Sequence, residues 1–132
     1  MTRAVDLEAY PMHLGLGATV VPEPAFTGDM EWYAAYAARH ASDGPEGRLV
    51  TVHTFASPWT SWERHPRGEE LVVCLAGELM LHQELPEGVA TVTLRPFQCV
   101  VNPRGVWHTA DVRGAATALF ITAGEGTEHR AR

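Results

Sequence analysis

The sequence of 132 residues contains no lysine, only two cysteines and no long apolar run. Its ten basic residues are all arginines that occur singly, and sixteen acidic residues bring the net charge to −6. Because no basic stripe could follow a row of phosphates, nucleic acid is not expected as a partner. The apolar runs are too short for a membrane-spanning helix, and the first residues lack the apolar core of a secretory signal. No membrane partner is therefore expected.

The two cysteines, Cys74 and Cys99, do not form a CxxC pair and stand inside apolar runs. Such cysteines are more typical of buried thiols in a cytoplasmic protein than of a disulfide or a metal clip. Apolar residues make up 45% of the chain and charged residues 20%, which excludes disorder and coiled coil. We expect a cytoplasmic globular protein that folds without disulfides.

Turn residues divide the chain into short segments. The pattern predicts a first strand over Met12–Val21 and one helix over Asp29–Ala41, capped by Asp29, with Met30, Tyr33 and Ala37 on one face. From Leu49 onward every segment is of β type and is bounded by glycine, proline or asparagine. These segments are Leu49–Phe55, Ser61–His65, Glu70–Ala76, Glu78–Glu84, Val89–Leu94, Cys99–Asn102, Val106–Val112 and Ala116–Thr122. The prediction is an all-β sandwich or barrel with one short helix near the N-terminus.

Four polar residues stand out along these strands. Glu63 and His65 are two positions apart on one strand, so both point to the same face. Glu70 opens the next strand after a proline–glycine turn. His108 follows the tight turn Pro103–Gly105 and begins a later strand.

The segment Glu63–Gly77 resembles the first cupin motif, which reads HxH, four residues, Glu, six residues and Gly. Pro103-x-Gly105-x-x-His108 is similar to the PxGxxH core of the second cupin motif. The resemblance covers Trp59–Thr122, and it implies a double-stranded β-helix, or jelly-roll barrel, over residues 49–123. Residues 1–48 would then add a strand and a helix packed on the barrel. Residues 124–132 would form a polar tail of the same domain, in which Thr127, Glu128 and His129 could fold back.

The resemblance also implies a divalent metal in the barrel mouth. Its ligands would fall on His65, Glu70 and His108, and Glu63 stands where the motif has its first histidine. Two further departures, Phe97 and Val112, concern positions where the second motif often has glycine and asparagine.

Charge gives an independent reason for a cation at this place. Two carboxylates facing a narrow interior repel each other, and an unpaired buried carboxylate costs several kcal/mol. A divalent ion would relieve both problems, but Arg67, Arg104 or protonation could also do so. Two histidines with one or two carboxylates would accept Fe, Mn, Ni or Zn, and the residues do not choose among them. In a second interpretation Glu63 is a solvated partner of Arg64 or Arg67 and the metal has been lost.

Strand alternation also predicts the walls of the cavity. Val72 and Cys74 follow Glu70 on its face, Ala110 follows His108, and His53 either lines the cavity or is a satisfied buried side chain. We expect Val72, Cys74, Ala110 and His53 to contact a small organic ligand. Trp62 and Trp107 adjoin site residues, so they are expected on the opposite faces, where they could cover a sheet or a dimer contact.

Three functions fit these features, and the third is a protein whose main role is assembly through its sheet faces. The first is a cupin-type metalloenzyme with oxygenase, isomerase or lyase chemistry on a small organic substrate, in which Glu63 is a fourth ligand or the general base. The second is a non-catalytic ligand-binding or sensing module whose metal is structural or absent. A homodimer is expected with each of these functions, and fold alone does not select the reaction.

Overall fold

Eleven strands form two antiparallel sheets in residues 3–132, the part of the chain that the computed structural model describes. In chain order the elements are β1 (Met12–Gly15), β2 (Thr19–Pro22), α1 (Met30–Arg39), a 3₁₀ segment (Ala41–Glu46), β3 (Arg48–Phe55), β4 (Ser61–Arg64), β5 (Glu70–Ala76), β6 (Leu79–Leu85), β7 (Gly88–Leu94), β8 (Cys99–Asn102), β9 (His108–Val112), β10 (Ala116–Thr122) and β11 (Glu128–Ala131). The first sheet has the order β2-β1-β3-β10-β5-β8 and the second the order β11-β4-β9-β6-β7. This confirms the predicted all-β jelly roll, although the strands stay in two sheets and do not close into one barrel.

The core lies between the two sheets. Alternating residues of β5, β6, β9 and β10 point inward, because successive side chains of a strand leave on opposite faces. The buried cluster consists of Val72, Cys74, Leu79, Leu81, Leu94, Ala110, Ala116, Ala118 and Phe120. Fully burying one such aliphatic side chain contributes about 1.5–3 kcal/mol, so this cluster holds the two sheets together.

The predicted single strand over Met12–Val21 is wrong, since this segment is a hairpin. β1 pairs with β2, and the chain reverses at Gly17 and Ala18, whose φ angles are 75° and 57°. β1 also pairs with β3, so the hairpin extends the first sheet at its edge. Ala18 is the reason why the turn escaped prediction, because non-glycine residues seldom adopt positive φ.

Helix α1 begins as predicted. The side chain of Asp29 accepts a hydrogen bond of 2.8 Å from the backbone N–H of Trp32. The buried residue of the helix is Trp32, whereas Met30 and Tyr33 on the expected apolar face are 80% and 39% exposed. The predicted apolar face does not pack into the core. It lines a cavity instead.

Three further expectations from the sequence concern the polar tail, the two cysteines and membrane-spanning segments. The last strand, β11, pairs with β4, so the polar tail folds back onto the second sheet. Cys74 is buried, but the prediction of a buried Cys99 is wrong: β8 is an edge strand, and the thiol of Cys99 lies on its exposed side. Residues 3–132 contain no helix long and apolar enough to cross a bilayer.

Candidate metal centre

Strand register brings the four motif residues together. In the second sheet Glu63 on β4 lies opposite His108 on β9, and His129 on β11 lies opposite Glu63. His65 follows Glu63 by two positions and therefore shares its face. Glu70 approaches from the first sheet, where it begins β5 opposite Thr122 of β10. The site thus lies where the two sheets face each other.

The ligand atoms of Glu63, His65, Glu70 and His108 all lie within 4.8 Å of one another. The Nε2 atom of His65 is 3.0 Å from Glu63 Oε1 and 3.2 Å from Glu70 Oε2. The Nε2 atom of His108 is 3.6 Å from Glu63 Oε1 and 3.3 Å from Glu70 Oε1. Both Nε2 atoms are buried, and neither forms a hydrogen bond of acceptable geometry with any residue in 3–132.

The opposite ring nitrogens fix the tautomers of both histidines. The hydroxyl of Thr127 donates to the carbonyl of Gly124 at 2.8 Å, so its oxygen accepts from Nδ1 of His65, also at 2.8 Å. Nδ1 of His108 faces the carbonyl oxygen of Val106 at 3.4 Å and donates to it. In the neutral rings the Nε2 lone pairs therefore point into the cluster. Such outer hydrogen bonds are usual behind metal-bound histidines.

Glu70 is held by a buried network that joins the two sheets. Its Oε2 accepts a hydrogen bond of 2.6 Å from the hydroxyl of Thr122, and its Oε1 accepts one of 3.0 Å from the amide of Asn102. The amide of Gln83 donates to Asn102 Oδ1 at 2.9 Å, which fixes the orientation of the Asn102 side chain. Glu70 is thus a rigid ligand candidate with one lone pair of each oxygen still free.

Glu63 is the least enclosed member of the cluster. A quarter of its side chain is exposed, against 3% for Glu70. Its Oε2 is 2.9 Å from Nε2 of His129, a side chain that is 56% exposed. Glu63 therefore connects the buried cluster to solvent.

The four groups perturb one another strongly. Burial alone would lower the pKa of His65 and of His108, but the adjoining Glu63 and Glu70 carboxylates reverse this and raise each to about 9. Burial alone would raise the pKa values of the two carboxyl groups, but the two imidazoles outweigh it and hold both well below the usual range. Without a metal the cluster is an imidazolium–carboxylate quartet.

The residues present fit a divalent cation. Two buried imidazole lone pairs and two carboxylates converge, and the Nε2 atoms lack hydrogen-bond partners within residues 3–132. Two nitrogen and two oxygen donors suit Fe, Mn, Ni or Zn. The four residues singled out by the sequence are thus assembled as a set, while their roles stay predictions.

A cavity of about 1120 Å³ opens from this cluster toward helix α1. Its walls include Tyr33, His53, Phe55, Trp59 and Phe120. The indole N–H of Trp59 is buried and has no acceptor among the described residues. The cavity is large enough for a ring-sized organic ligand.

Three of the four predicted wall residues do not line this cavity. Val72, Cys74 and Ala110 are completely buried in the packed cluster between the sheets, outside the cavity walls, and their ligand contacts stay a prediction. They share the inward face with Glu70 and His108, as alternation predicts. Phe120 belongs to the same cluster and Trp59 packs against it, and the cavity extends over β3. His53 does line it, with its ring 5.2 Å from Phe26 and 5.9 Å from Phe120.

The two tryptophans that adjoin site residues in sequence lie on the outer face of their sheet. Trp62 and Trp107 lie outside the cavity, as alternation predicts, and Arg130 covers both rings at 5.4 and 4.7 Å. Sequence reasoning missed the supporting residues Thr122, Thr127 and Asn102, because no motif marks them and their register is set by tertiary pairing.

No protein-family profile and no curated protein matches this sequence. Solved structures do. A cupin-2 domain protein from Shewanella frigidimarina aligns with a TM-score of 0.50 at 17% identity, over 57% of this chain and 69% of that chain. Oxalate oxidase aligns with a TM-score of 0.53 at 20% identity, over 61% of this chain and 44% of that chain. The complex of oxalate oxidase with the substrate analogue glycolate aligns with a TM-score of 0.54 at 20% identity, over 61% of this chain and 45% of that chain.

The chain therefore has the cupin fold, as its two motifs predicted. It spans less than half of the length of the oxalate oxidase chains. Identities of this size show a shared fold and leave the activity open.

Proposed function

We propose that the protein is a cupin-type metalloenzyme acting on a small organic substrate. The observation that carries this proposal is the convergence of the His65 and His108 Nε2 lone pairs with the Glu63 and Glu70 oxygens in a buried place. Two buried carboxylates need positive charge beside them, and a divalent ion held by the two Nε2 lone pairs supplies it in place of protons on the histidines.

In this proposal His65, His108 and Glu70 hold the divalent metal, which is Fe, Mn, Ni or Zn. Each of the three is buried and supported from behind by Thr127, by the Val106 carbonyl or by Thr122 with Asn102. When bound, such an ion polarises a substrate carbonyl or activates dioxygen. The buried support would keep the ligands in place during turnover.

Glu63 is the proposed general base, with a fourth-ligand role as the alternative. It is the cluster member with access to solvent, and His129 at 2.9 Å can carry a proton between Glu63 Oε2 and water. A carboxylate with this exposure can take a proton from a substrate carbon or hydroxyl and return it. The reaction would accordingly be of oxygenase, isomerase or lyase type.

A non-catalytic ligand-binding or sensing cupin is the second candidate. One observation favours it: Glu63 stands where the first motif has histidine, and it can pair with His129 outside the cluster. In that case the quartet would hold protons in place of a metal.

Elemental analysis separates the two candidates. Protein purified without added metal should contain close to one equivalent of a transition metal, and Glu63→Gln should keep it while losing turnover. Turnover can be sought with small phenols and aromatic acids, by following oxygen uptake and product mass. Less than about a tenth of an equivalent of every transition metal, with no rise after incubation with Fe, Mn, Ni or Zn, would favour the metal-free module.

We further propose that the protein is a cytoplasmic homodimer. The exposed apolar residues Val20 and Val21, 62% and 38% exposed, lie on edge strand β2, which leaves one side unpaired. Size-exclusion chromatography with light scattering should give twice the chain mass of 14.4 kDa. A monomer at high concentration would contradict it.

A further inference from the structure

A second buried polar cluster lies in the same cavity. Nδ1 of His13 is 2.6 Å from the hydroxyl of Tyr36, and Nε2 of His13 is 2.6 Å from Asp43 Oδ2. His13 is 1% exposed, and its ring stacks on that of His40 with centroids 3.6 Å apart. His13, Tyr36 and His40 all line the cavity.

The backbone is shaped to admit this cluster. A Cβ at Gly47 would lie 2.8 Å from Cε1 of His13, and one at Gly15 would lie 2.9 Å from Asp43 Oδ2. Both distances are shorter than side chains tolerate. The glycines thus leave the room that the His13–Asp43 pair occupies.

The hydrogens of the cluster can be assigned. The hydrogen bond from His13 holds the pKa of Asp43 below its usual range, so the carboxylate is ionised and only accepts. Nε2 of His13 therefore carries a hydrogen, and in the neutral tautomer Nδ1 accepts from the hydroxyl of Tyr36. Burial, with Glu23 and Asp43, raises the pKa of Tyr36 and keeps this hydroxyl protonated. The oxygen of Tyr36 is left with free lone pairs, which can accept a hydrogen bond from a ligand.

The register relates this cluster to the metal centre. His13 pairs with Leu49, Leu49 with Thr122, and Thr122 with Glu70, so the four residues form one row across β1, β3, β10 and β5. Side chains in one row share a face, and three strand spacings of about 4.8 Å separate His13 from Glu70 by about 14 Å. The two polar clusters thus stand at opposite ends of one row.

The cavity wall as a whole is largely apolar and aromatic. Tyr33, Phe55, Trp59 and Phe120 supply rings, and Ala34 and Ala37 add the small-residue face of α1. No arginine lines the cavity, and the chain has no lysine. A second negative charge on a ligand would find no cation there, while Glu63, Glu70 and Glu125 would repel it.

We propose that the His13–Tyr36–Asp43 cluster is a second anchor in the cavity, and that it accepts a hydrogen bond from a hydroxyl group at the far end of an elongated, ring-containing substrate. The inference rests on the proposed function for the near end, where an oxygen of the substrate meets the metal. The substrate is then neutral or singly charged, with one oxygen group, an aromatic or apolar body and a terminal hydrogen-bond donor.

Three probes of nearly equal shape test this anchor. They are 3-(4-hydroxyphenyl)propanoate, 3-phenylpropanoate, which lacks the terminal group, and 3-(4-methoxyphenyl)propanoate, which has an oxygen that cannot donate. Binding to Zn²⁺-loaded protein is measured by calorimetry, because zinc allows binding without redox turnover. The hydroxyl compound should bind about tenfold more tightly than the other two, the size expected for one hydrogen bond.

Two variants and a control locate the effect. Tyr36→Phe should abolish the preference for the hydroxyl compound, because it removes the accepting oxygen. Asp43→Asn should reduce it, because Nε2 no longer has to carry the hydrogen and Tyr36 can turn its own hydrogen toward the ligand. Tyr10→Phe makes the same change at an exposed tyrosine that does not line the cavity, and it should keep the preference. Melting temperatures of all variants show whether they are folded.

The two proposals fail in different ways. A preference for the hydroxyl compound that is present in the wild type and lost in Tyr36→Phe supports the anchor. Removal of zinc tests the metal-centred function separately: an unchanged probe affinity after its removal would overturn that function and leave the anchor standing. Equal affinities of the three probes in the wild type would overturn the anchor. So would an unchanged preference in Tyr36→Phe, or no binding of any probe at millimolar concentration.

Discussion

Glu63 and His108 face each other across β4 and β9, and theirs is the residue pair through which these two strands join in register. The same pairing brings Nε2 of His108 within 3.6 Å of Glu63 Oε1. Fold and candidate metal site therefore depend on one contact. A substitution at either residue can change both, so each variant needs a stability measurement beside its metal content.

Metal content should distinguish the two residues. His108→Ala removes a buried donor and should lose the metal, whereas Glu63→Gln keeps two histidines and Glu70 and should retain it. His82→Ala is the matched control, since His82 bonds to Thr91 and Asp111 outside the cluster. Inductively coupled plasma mass spectrometry gives the stoichiometry. Retention of metal in His108→Ala would exclude that residue as a ligand.

The support behind Glu70 should matter for affinity. Thr122→Val keeps the side-chain shape but removes the 2.6 Å hydrogen bond to Glu70 Oε2, and we expect about ten- to hundredfold weaker metal binding. Thr117→Val is the control on the same strand, because the Thr117 hydroxyl pairs with Thr54. Competition with a chromogenic chelator measures the metal affinity of both variants. Equal affinity of the two variants would show that Glu70 needs no such support.

Metal should raise the melting temperature. A ligand that binds only the folded state at a hundred times its Kd adds about 2.7 kcal/mol, or roughly 10 °C for a chain of this size. Differential scanning fluorimetry before and after chelation tests this for the wild type. His65→Ala should not respond to metal at all, and a response equal to that of the wild type would contradict the assignment of His65.

The stability of the metal-free protein should depend on pH more strongly than that of the loaded protein. Without metal, the pKa values of His65 and His108 are raised to about 9 from an ordinary 6.5, so their stabilisation is complete below pH 6.5 and is lost as pH rises toward 9. With metal, the ion displaces these protons, so binding strengthens over the same interval. Urea unfolding midpoints between pH 6.5 and 9 should fall for the metal-free form and stay nearly constant for the loaded form, because stronger metal binding offsets the lost stabilisation. Parallel slopes would mean that the metal is bound elsewhere.

The motif glycine Gly77 should be irreplaceable for steric reasons. Its φ is 72°, and a Cβ there would lie 2.2 Å from the carbonyl oxygen of Ala115. Gly114 has a φ of 73° with open space around it, so Gly114→Ala isolates the backbone penalty of about 1 kcal/mol. Gly77→Ala should cost at least about 2 kcal/mol more in chemical denaturation. Equal costs would mean that the turn can move away from Ala115.

Local patterns predicted much of the fold. The bounds of β5, β8 and β10 agree with the predicted segments to the residue, because turn residues flank all three. The β1–β2 turn was missed although Gly17 lies in it, because its other residue, Ala18, is of a type that seldom adopts positive φ. The predicted strand over Val106–Val112 begins only at His108, since the amide of Val106 bonds to the carbonyl of Pro103 and prolongs the turn.

The sequence motifs predicted the four ligand candidates but not the residues that support them. Alternation placed Glu63 beside His65, and the two motifs indicated Glu70 and His108. Thr122 and Asn102 reach Glu70 from β10 and β8, and no local pattern reveals that register. Alternation also put Val72 on the inward face, but it could not show that Val72 lies in the packed core and outside the cavity walls.

The pairing of β11 with β4 has a practical consequence for experiments. It carries Thr127 to His65 and His129 to Glu63, so the segment ending at Arg132 lies against the candidate metal centre. A polyhistidine tag fused after Arg132 would place additional imidazoles near these ligands and could supply a metal of its own. Purification through a cleavable tag at the other terminus would keep such artefacts out of every metal titration.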